Sequence, residues 1–279
     1  MKNRIERLCE ITHNKEVSSS YFRIGLKWKT PRIAPGQFVM LRVTDGLDPL
    51  LRRPFGIYNV INAAGKASLR GTGIELLYKV VGRGTRILSL KKPGECVDVL
   101  GPLGNGWPLP RLLSSGKNRR GRHDKIIMAG GGMGIAPLYL LANKIKTGVV
   151  LFGGKGRAEA GLTKAFKGHK IRIATEDGSV GKKGFVTELL KEELAPGSVV
   201  CACGPVRMLK AVAALADGAG VDCYVSLEST MACGIGVCLG CAVKSGAHAL
   251  TMSAANKDYR MVCSDGPVFL SRDIDWEAL

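Results

Sequence analysis

Aromatic residues are scarce in this chain, at 6% of 279 residues, and acidic residues are few, 23 against 41 lysines and arginines. A formal charge of +18 permits contact with anions. It licenses only non-specific attraction, because the cations are spread along the chain without aromatic interleaving or a recognisable nucleic-acid module. No opening segment joins a basic start to an apolar core, so residues 1–10 do not read as a secretory signal, and the cysteines are expected as thiols in a reducing cytoplasm. The longest uncharged run, residues 126–143, carries four glycines and a proline; a strand, a turn and a helix explain it better than a membrane span. Also missing is a G-x-G-x-x-G fingerprint, since Ile135 stands where its third glycine would fall.

What the chain does have is nine cysteines, four of them in the spacing C-x4-C-x2-C-x21-C at Cys233, Cys238, Cys241 and Cys263. Each iron of a [2Fe–2S] cluster needs two thiolates besides its bridging sulfides, and the plant-type pattern is C-x4-C-x2-C with a distant fourth ligand. Gly234, Gly236 and Gly240 would let a short loop wrap such a core and aim backbone N–H groups at its sulfurs. A zinc site and inert buried thiols are the alternatives, but zinc sites usually bring two separated C-x2-C pairs. Cys263 enters the set as the only cysteine downstream.

The length suits two or three domains. Up to residue 103, short β-type segments (21–28, 37–43, 56–60, 74–81, 96–99) alternate with Pro-Gly and Asp-Gly turns, which predicts a small antiparallel β-barrel. Within it, Arg53-Pro54-Phe55-Gly56 sets a cation beside a rigid proline and a ring, suiting a diphosphate next to a flat heterocycle. The stretch from Leu77, Tyr78 and Lys79 to Gly84 and Thr85 would present N–H groups and a hydroxyl to phosphate. Residues 111–125 are basic without apolar periodicity and read as a mobile surface loop. From residue 125, strands (125–129, 149–152, 170–175, 198–203) alternate with helices (138–146, near 162–166, 186–193, 206–216), the pattern of an α/β doubly wound parallel sheet. Gly130, Gly131, Gly132 and Gly134 end its first strand before Pro137, where a pyrophosphate can approach a helix start. Cys203-Gly204-Pro205 ends the fourth strand, on the edge where ligands lie in such sheets.

Together these motifs resemble the ferredoxin–NADP reductase superfamily, and within it the electron-transfer subunits of class B dihydroorotate dehydrogenases, over essentially the whole chain. The resemblance implies a multidomain protein: an FAD barrel at 1–103, an NAD domain at 104–220 carrying the basic loop, and a [2Fe–2S] domain at 221–279. It carries the flavin motif Arg-Pro-x-Ser onto Arg53, Pro54, Phe55 and Gly56, with glycine replacing the serine, and further flavin positions onto Leu77, Tyr78, Lys79, Gly84 and Thr85. The nucleotide motif falls on Gly130, Gly131, Gly132 and Gly134 through Pro137. Cys203, with Gly204, Pro205 and Met208, is implied beside the nicotinamide, as the catalytic position. Glu228 to Cys233 and Cys263-Ser264-Asp265-Gly266-Pro267-Val268-Phe269 match the family's cluster segments and make Cys263 a ligand. The implied partner is an FMN-containing dihydroorotate dehydrogenase catalytic subunit in a heterotetramer, with no membrane and no specific nucleic acid. A relative serving a hydrogenase, sulfite reductase or ferredoxin transhydrogenase, or a non-catalytic iron-sulfur sensor, are the competing expectations. NAD is expected over NADP, although Lys155 and Arg157 would attract a 2′-phosphate.

Overall fold

The structure, a computed structural model, describes residues 5–29, 32–61, 72–112, 125–145, 148–252 and 258–279. The first six strands are β1 (Ile5–Ser18), β2 (Tyr21–Lys27), β3 (Phe38–Arg42), β4 (Arg53–Ile61), β5 (Gly73–Lys79) and β6 (Cys96–Leu103). They close into an antiparallel barrel in the order β1-β2-β5-β4-β3-β6. Closure satisfies the edges that an open sheet of short strands would leave bare. Inward residues such as Ile11, Ile24, Leu26, Val39, Leu41, Ile57, Ile74 and Leu76 fill its interior and are fully buried. β1 was not foreseen, because the unbroken polar run from Thr12 to Glu16 hides its strand pattern. A helix at Arg83–Leu90 follows β5.

A second sheet is built from β7 (Lys125–Gly131), β8 (Val149–Gly154), β9 (Lys170–Thr175), β10 (Lys182–Lys183), β11 (Ser198–Cys203), β12 (Asp222–Ser226) and β15 (Val268–Leu270). Its order is β10-β9-β8-β7-β11-β12-β15, parallel except for the last strand. Side chains alternate across it: Ile127, Ala129, Val200 and Ala202 meet the helices Val186–Glu193 and Val206–Gly218, while Met128, Val150, Val199 and Cys201 meet the helix Ala136–Ala142. Both faces are covered, so the strands read as unbroken apolar runs. At the opposite end from the glycine turn, buried Glu193 gathers Lys125 (2.6 Å), Lys170 (2.8 Å) and Arg172 (3.0 Å). Burial works to raise its carboxyl, yet these three cations bring it down to about 2.

The segment expected as a separate cluster domain, 221–279, divides between two structures. β12 and β15 belong to the second sheet, while β13 (Ala242–Lys244) and β14 (Tyr259–Met261) form a small hairpin beside the cysteine loop. The boundary at 221 moves because apolar β12 extends the sheet beside β11, and β15 returns antiparallel to cover it. Of the basic loop, residues 113–124 lie outside the described residues, as does the end of the helix expected to reach 146. Among the described residues no helix is long and apolar enough to cross a membrane.

Candidate functional site

A cleft of about 1290 Å³ opens between the barrel, the C-terminal edge of the second sheet and the segment that leads into the cysteine loop. Arg53, Pro54, Phe55 and Gly56 at the start of β4, Leu77, Tyr78 and Lys79 at the end of β5, and Thr85 form its barrel wall. Gly131, Gly132, Gly134, Cys203, Gly204 and Pro205 form the opposite wall. Gly84 and Gly130 shape the cleft without lining it. A Cβ on Gly84 would lie 2.6 Å from Arg53 Nε, and one on Gly130 would lie 2.8 Å from Ile135 Cδ1.

The barrel wall fits a flavin dinucleotide in its chemistry. Arg53 is held over the start of the helix Arg83–Leu90 by Gly84 and by donating to the Leu51 carbonyl. The Thr85 hydroxyl accepts from the N–H groups of Val81 (2.9 Å) and Gly82 (3.1 Å) and donates to the Gly82 carbonyl (3.0 Å). That uses all its hydrogen-bonding capacity. Thr85 therefore shapes the anion-facing turn, and the direct hydroxyl contact expected of it is already taken. Tyr78 packs edge-on to Phe55 at 5.8 Å and donates to Asn14 (3.1 Å), and burial pushes its phenol up to about 12.

Two barrel residues do something the sequence did not suggest. Lys79 donates to Glu159 Oε1 (3.2 Å) and sits 4.9 Å over the Tyr21 ring, so its charge is spent on the other lobe. Glu159 also accepts from Tyr21 Oη at 2.5 Å and from the Lys155 N–H at 2.8 Å. Burial works against its charge, but these bonds hold the carboxyl below the ordinary range. Gly56 meets the second lobe directly: a Cβ there would be 3.1 Å from Pro137 Cγ. The missing serine is thus a point of close approach between barrel and nucleotide turn.

The glycines of the nucleotide wall are equally constrained. A Cβ on Gly134 would fall 2.1 Å from the Cys203 carbonyl oxygen and one on Gly131 2.4 Å from Met208 Sδ, while Gly132, at φ 52°, faces open space. Packing thus requires Gly131 and Gly134, while the open side of Gly132 leaves room for a pyrophosphate at the start of the following helix. Cys203 is buried, and burial, with Glu228 nearby, raises its thiol so that it stays protonated. Glu228 stands at the cleft wall, where surrounding protein raises its carboxyl although solvent still reaches it. Arg157, a suspected 2′-phosphate ligand, donates instead to the Ser179 carbonyl (2.8 Å), and Glu176 presents a carboxylate to the cleft. Tyr21, Glu159 and Glu176 had no local signal in the sequence; only the meeting of two lobes makes them cleft residues.

Backbone N–H to sulfur contacts bring Cys233, Cys238, Cys241 and Cys263 into one region. Gly234 (φ 69°), Gly236 (φ 82°) and even Leu239 (φ 58°) take the left-handed conformation that curls the loop. Cys233 Sγ accepts from the N–H groups of Ile235, Val237 and Cys238, each at 3.4 Å. Gly236 N–H donates to Cys263 Sγ at 3.1 Å, and Cys263 N–H to Cys241 Sγ at 3.4 Å. Burial opposes ionisation of Cys233, but those three donors bring it down to about 6. Buried beside Cys241, Cys263 is pushed up to about 12. Iron binding would displace that proton. Among the described residues no three His, Cys, Asp or Glu side chains converge to hold a single ion. The Cys233 thiol lies beside that of Cys238, and the Cys263 thiol beside that of Cys241.

Comparison with known proteins agrees with this geometry. Residues 228–275 match the family model for the iron-sulfur cluster binding domain of dihydroorotate dehydrogenase B. The electron transfer subunit of dihydroorotate dehydrogenase B (NAD(+)) from Fusobacterium nucleatum is 34% identical over 96% of this chain and 98% of its own length. The chain belongs to that electron transfer subunit family. Its member from a Geobacillus strain is 39% identical over 86% of each chain. Among solved structures, an NADH-dependent reduced ferredoxin–NADP oxidoreductase studied for flavin-based electron bifurcation superposes with a TM-score of 0.78 at 26% identity, covering 97% of this chain and 91% of that one. A ferredoxin–NADP reductase from Neisseria gonorrhoeae with bound FAD and NADP shares the fold at a TM-score of 0.59 and 16% identity, over 77% of this chain and 93% of that one.

Proposed function

We propose that this chain is the electron-carrying half of a two-subunit oxidoreductase. It holds FAD on the barrel wall and NAD against the glycine turn, and a [2Fe–2S] cluster on Cys233, Cys238, Cys241 and Cys263. Electrons pass between NAD and an FMN-containing catalytic subunit that oxidises dihydroorotate to orotate in pyrimidine biosynthesis, within a cytoplasmic heterotetramer. Residues 1–103 serve FAD, the second sheet with its helices, β12 and β15 included, serves NAD, and the cysteine loop and its hairpin serve the cluster. When bound, the flavin supplies the exchange between two-electron nicotinamide chemistry and one-electron cluster chemistry.

The observation that carries this reading is the shared cleft: Arg53 and Tyr78, Gly132 and Cys203, and Met231 and Pro267 from the cluster segment all face it. Arg53 would bind diphosphate, and the bare glycines would admit the nucleotide. Protonated Cys203, buried at the cleft wall, would offer a neutral surface to a bound nicotinamide. Relatives named as dihydroorotate dehydrogenase subunits, at 34–39% identity, stand nearer than the ferredoxin–NADP oxidoreductase at 26%, which favours dihydroorotate over the transhydrogenase-type partner. Co-purification with the catalytic subunit should give a stable complex with NAD-dependent dihydroorotate oxidation. Cys263→Ser should abolish that activity while NADH still bleaches the flavin. Failure to form any complex, with activity restored by a different redox enzyme, would refute the dihydroorotate assignment.

A further inference from the structure

The end of β6 touches the cysteine segment on both sides of the four thiols. Gly104 turns the chain at φ 72°, and a Cβ there would lie 2.6 Å from Pro267 Cδ and 2.7 Å from the Gly266 carbonyl oxygen. Next to it, Asn105 donates its backbone N–H to Gly266 O (2.6 Å) and its side-chain amide to Ser264 O (3.1 Å) and Asp265 O (2.9 Å). The N–H groups of Ser264, Asp265 and Gly266 all turn the other way, onto the Met261 carbonyl, at 3.2, 2.8 and 3.2 Å. Three consecutive carbonyls directly after Cys263 are thus met by a single residue of the turn that leaves the barrel. At the other end of the cysteine set, a Cβ on Gly234 would meet Met40 Cγ at 2.6 Å and Leu103 Cδ1 at 3.3 Å. Residues 103–105 therefore support the neighbours of Cys233 and of Cys263 at once. Phe38, which pairs with Leu103, and Pro267 also line the cleft.

We propose that Asn105 is a positioning residue for electron passage: its amide fixes the Cys263 loop on the barrel and so sets the separation between cluster and flavin. The proposal rests on the function given above. Exchange between a bound flavin and a bound cluster would move one electron from donor to acceptor, with no bond made or broken between them. What the protein controls is therefore geometry. Asparagine suits the task because one short planar amide carries two donors for two carbonyls. An aspartate of the same shape would turn oxygen toward oxygen, and alanine would leave both carbonyls to water.

The test uses the full chain loaded with its cofactors, as Asn105→Ala, Asn105→Asp and Asn105→Gln. Each net hydrogen bond is worth a factor of about five in the docking equilibrium, so losing both should speed amide exchange at residues 264–266 by up to about 25-fold. Stopped-flow reduction of the flavin by NADH should stay at the wild-type rate. The following reduction of the cluster should be slower than in the wild type in the Ala and Asp variants, with a changed electron paramagnetic resonance line shape, and Gln should recover part of the loss. If Asn105→Ala cannot hold the cluster, Asn105→Gln carries the transfer measurement and exchange is read on either variant. Wild-type transfer rates and exchange in these variants, or equal slowing of both steps, would overturn the role of Asn105 alone. A wild-type chain whose flavin NADH cannot reduce, or which carries no reducible cluster, would overturn the functional reading and this proposal with it.

Discussion

Glu159→Gln tests how the barrel and the nucleotide lobe are held together. The carboxylate is buried and receives three donors: Tyr21 Oη, Lys79 Nζ and the Lys155 N–H. A glutamine can keep one acceptor but must aim its amide at a donor, and it leaves Lys79 without a counter-charge. A hydrogen bond to a charged group is worth about 1.5–3 kcal/mol, and stranding a fully buried partner costs about 3–5 kcal/mol. The Lys79 side chain is 34% exposed and can turn to water, which discounts the second figure. The expected loss is therefore about 1.5–3 kcal/mol. The pH dependence has a fixed sign: the folded carboxyl lies below its ordinary value of 4.5, so its stabilisation is complete above that pH and is lost as the pH falls through the lowered value. Wild type and variant should converge in acid. Urea unfolding of the flavin-loaded chain from neutral pH down to well below pH 4.5, followed by flavin release, reads both effects; Tyr21→Phe in a double-mutant cycle isolates the shortest bond. Equal midpoints for Glu159→Gln and wild type at neutral pH would refute the latch, as would a difference that grows in acid.

Changing Cys233, Cys238, Cys241 or Cys263 to Ser should lose or destabilise the cluster by iron and sulfide analysis, whereas Cys9, Cys96, Cys201 and Cys223 should be replaceable; the reverse pattern would overturn the ligand set. Arg53→Ala should weaken FAD binding by about 1.5–3 kcal/mol through loss of a charge-assisted contact, measured by flavin titration, and wild-type affinity would remove Arg53 from the diphosphate site. NADH should be preferred to NADPH in kcat/KM, because Glu176 faces the cleft while Arg157 is turned onto Ser179. Glu176→Gln should narrow that preference, and a wild-type preference for NADPH would contradict it.

The sequence by itself determined the features that chemistry ties to short spacing. Cys233, Cys238 and Cys241 must lie within one loop to share a cluster, and the glycines before Pro137 mark a strand-to-helix turn wherever the strand goes. Alternation of apolar strands and helices sufficed for the parallel sheet, since burial on both faces writes itself into each strand. Even the replacement at Gly56 was visible, but not its meaning, because Pro137 lies on another lobe. The same holds for Lys79, which the motif gave to the flavin and which the fold also pairs with Glu159, 80 residues away. Tyr21 reaches Glu159 across 138 residues and Asn105 reaches Asp265 across 160. Asp222–Ser226 and Val268–Leu270 joined the sheet for a similar reason, as each found an unpaired edge that no local pattern announces. Hydrogen bonds and close approaches between remote surfaces depend on how whole faces pack, and a side chain's type and its sequence neighbours do not encode which face arrives opposite it.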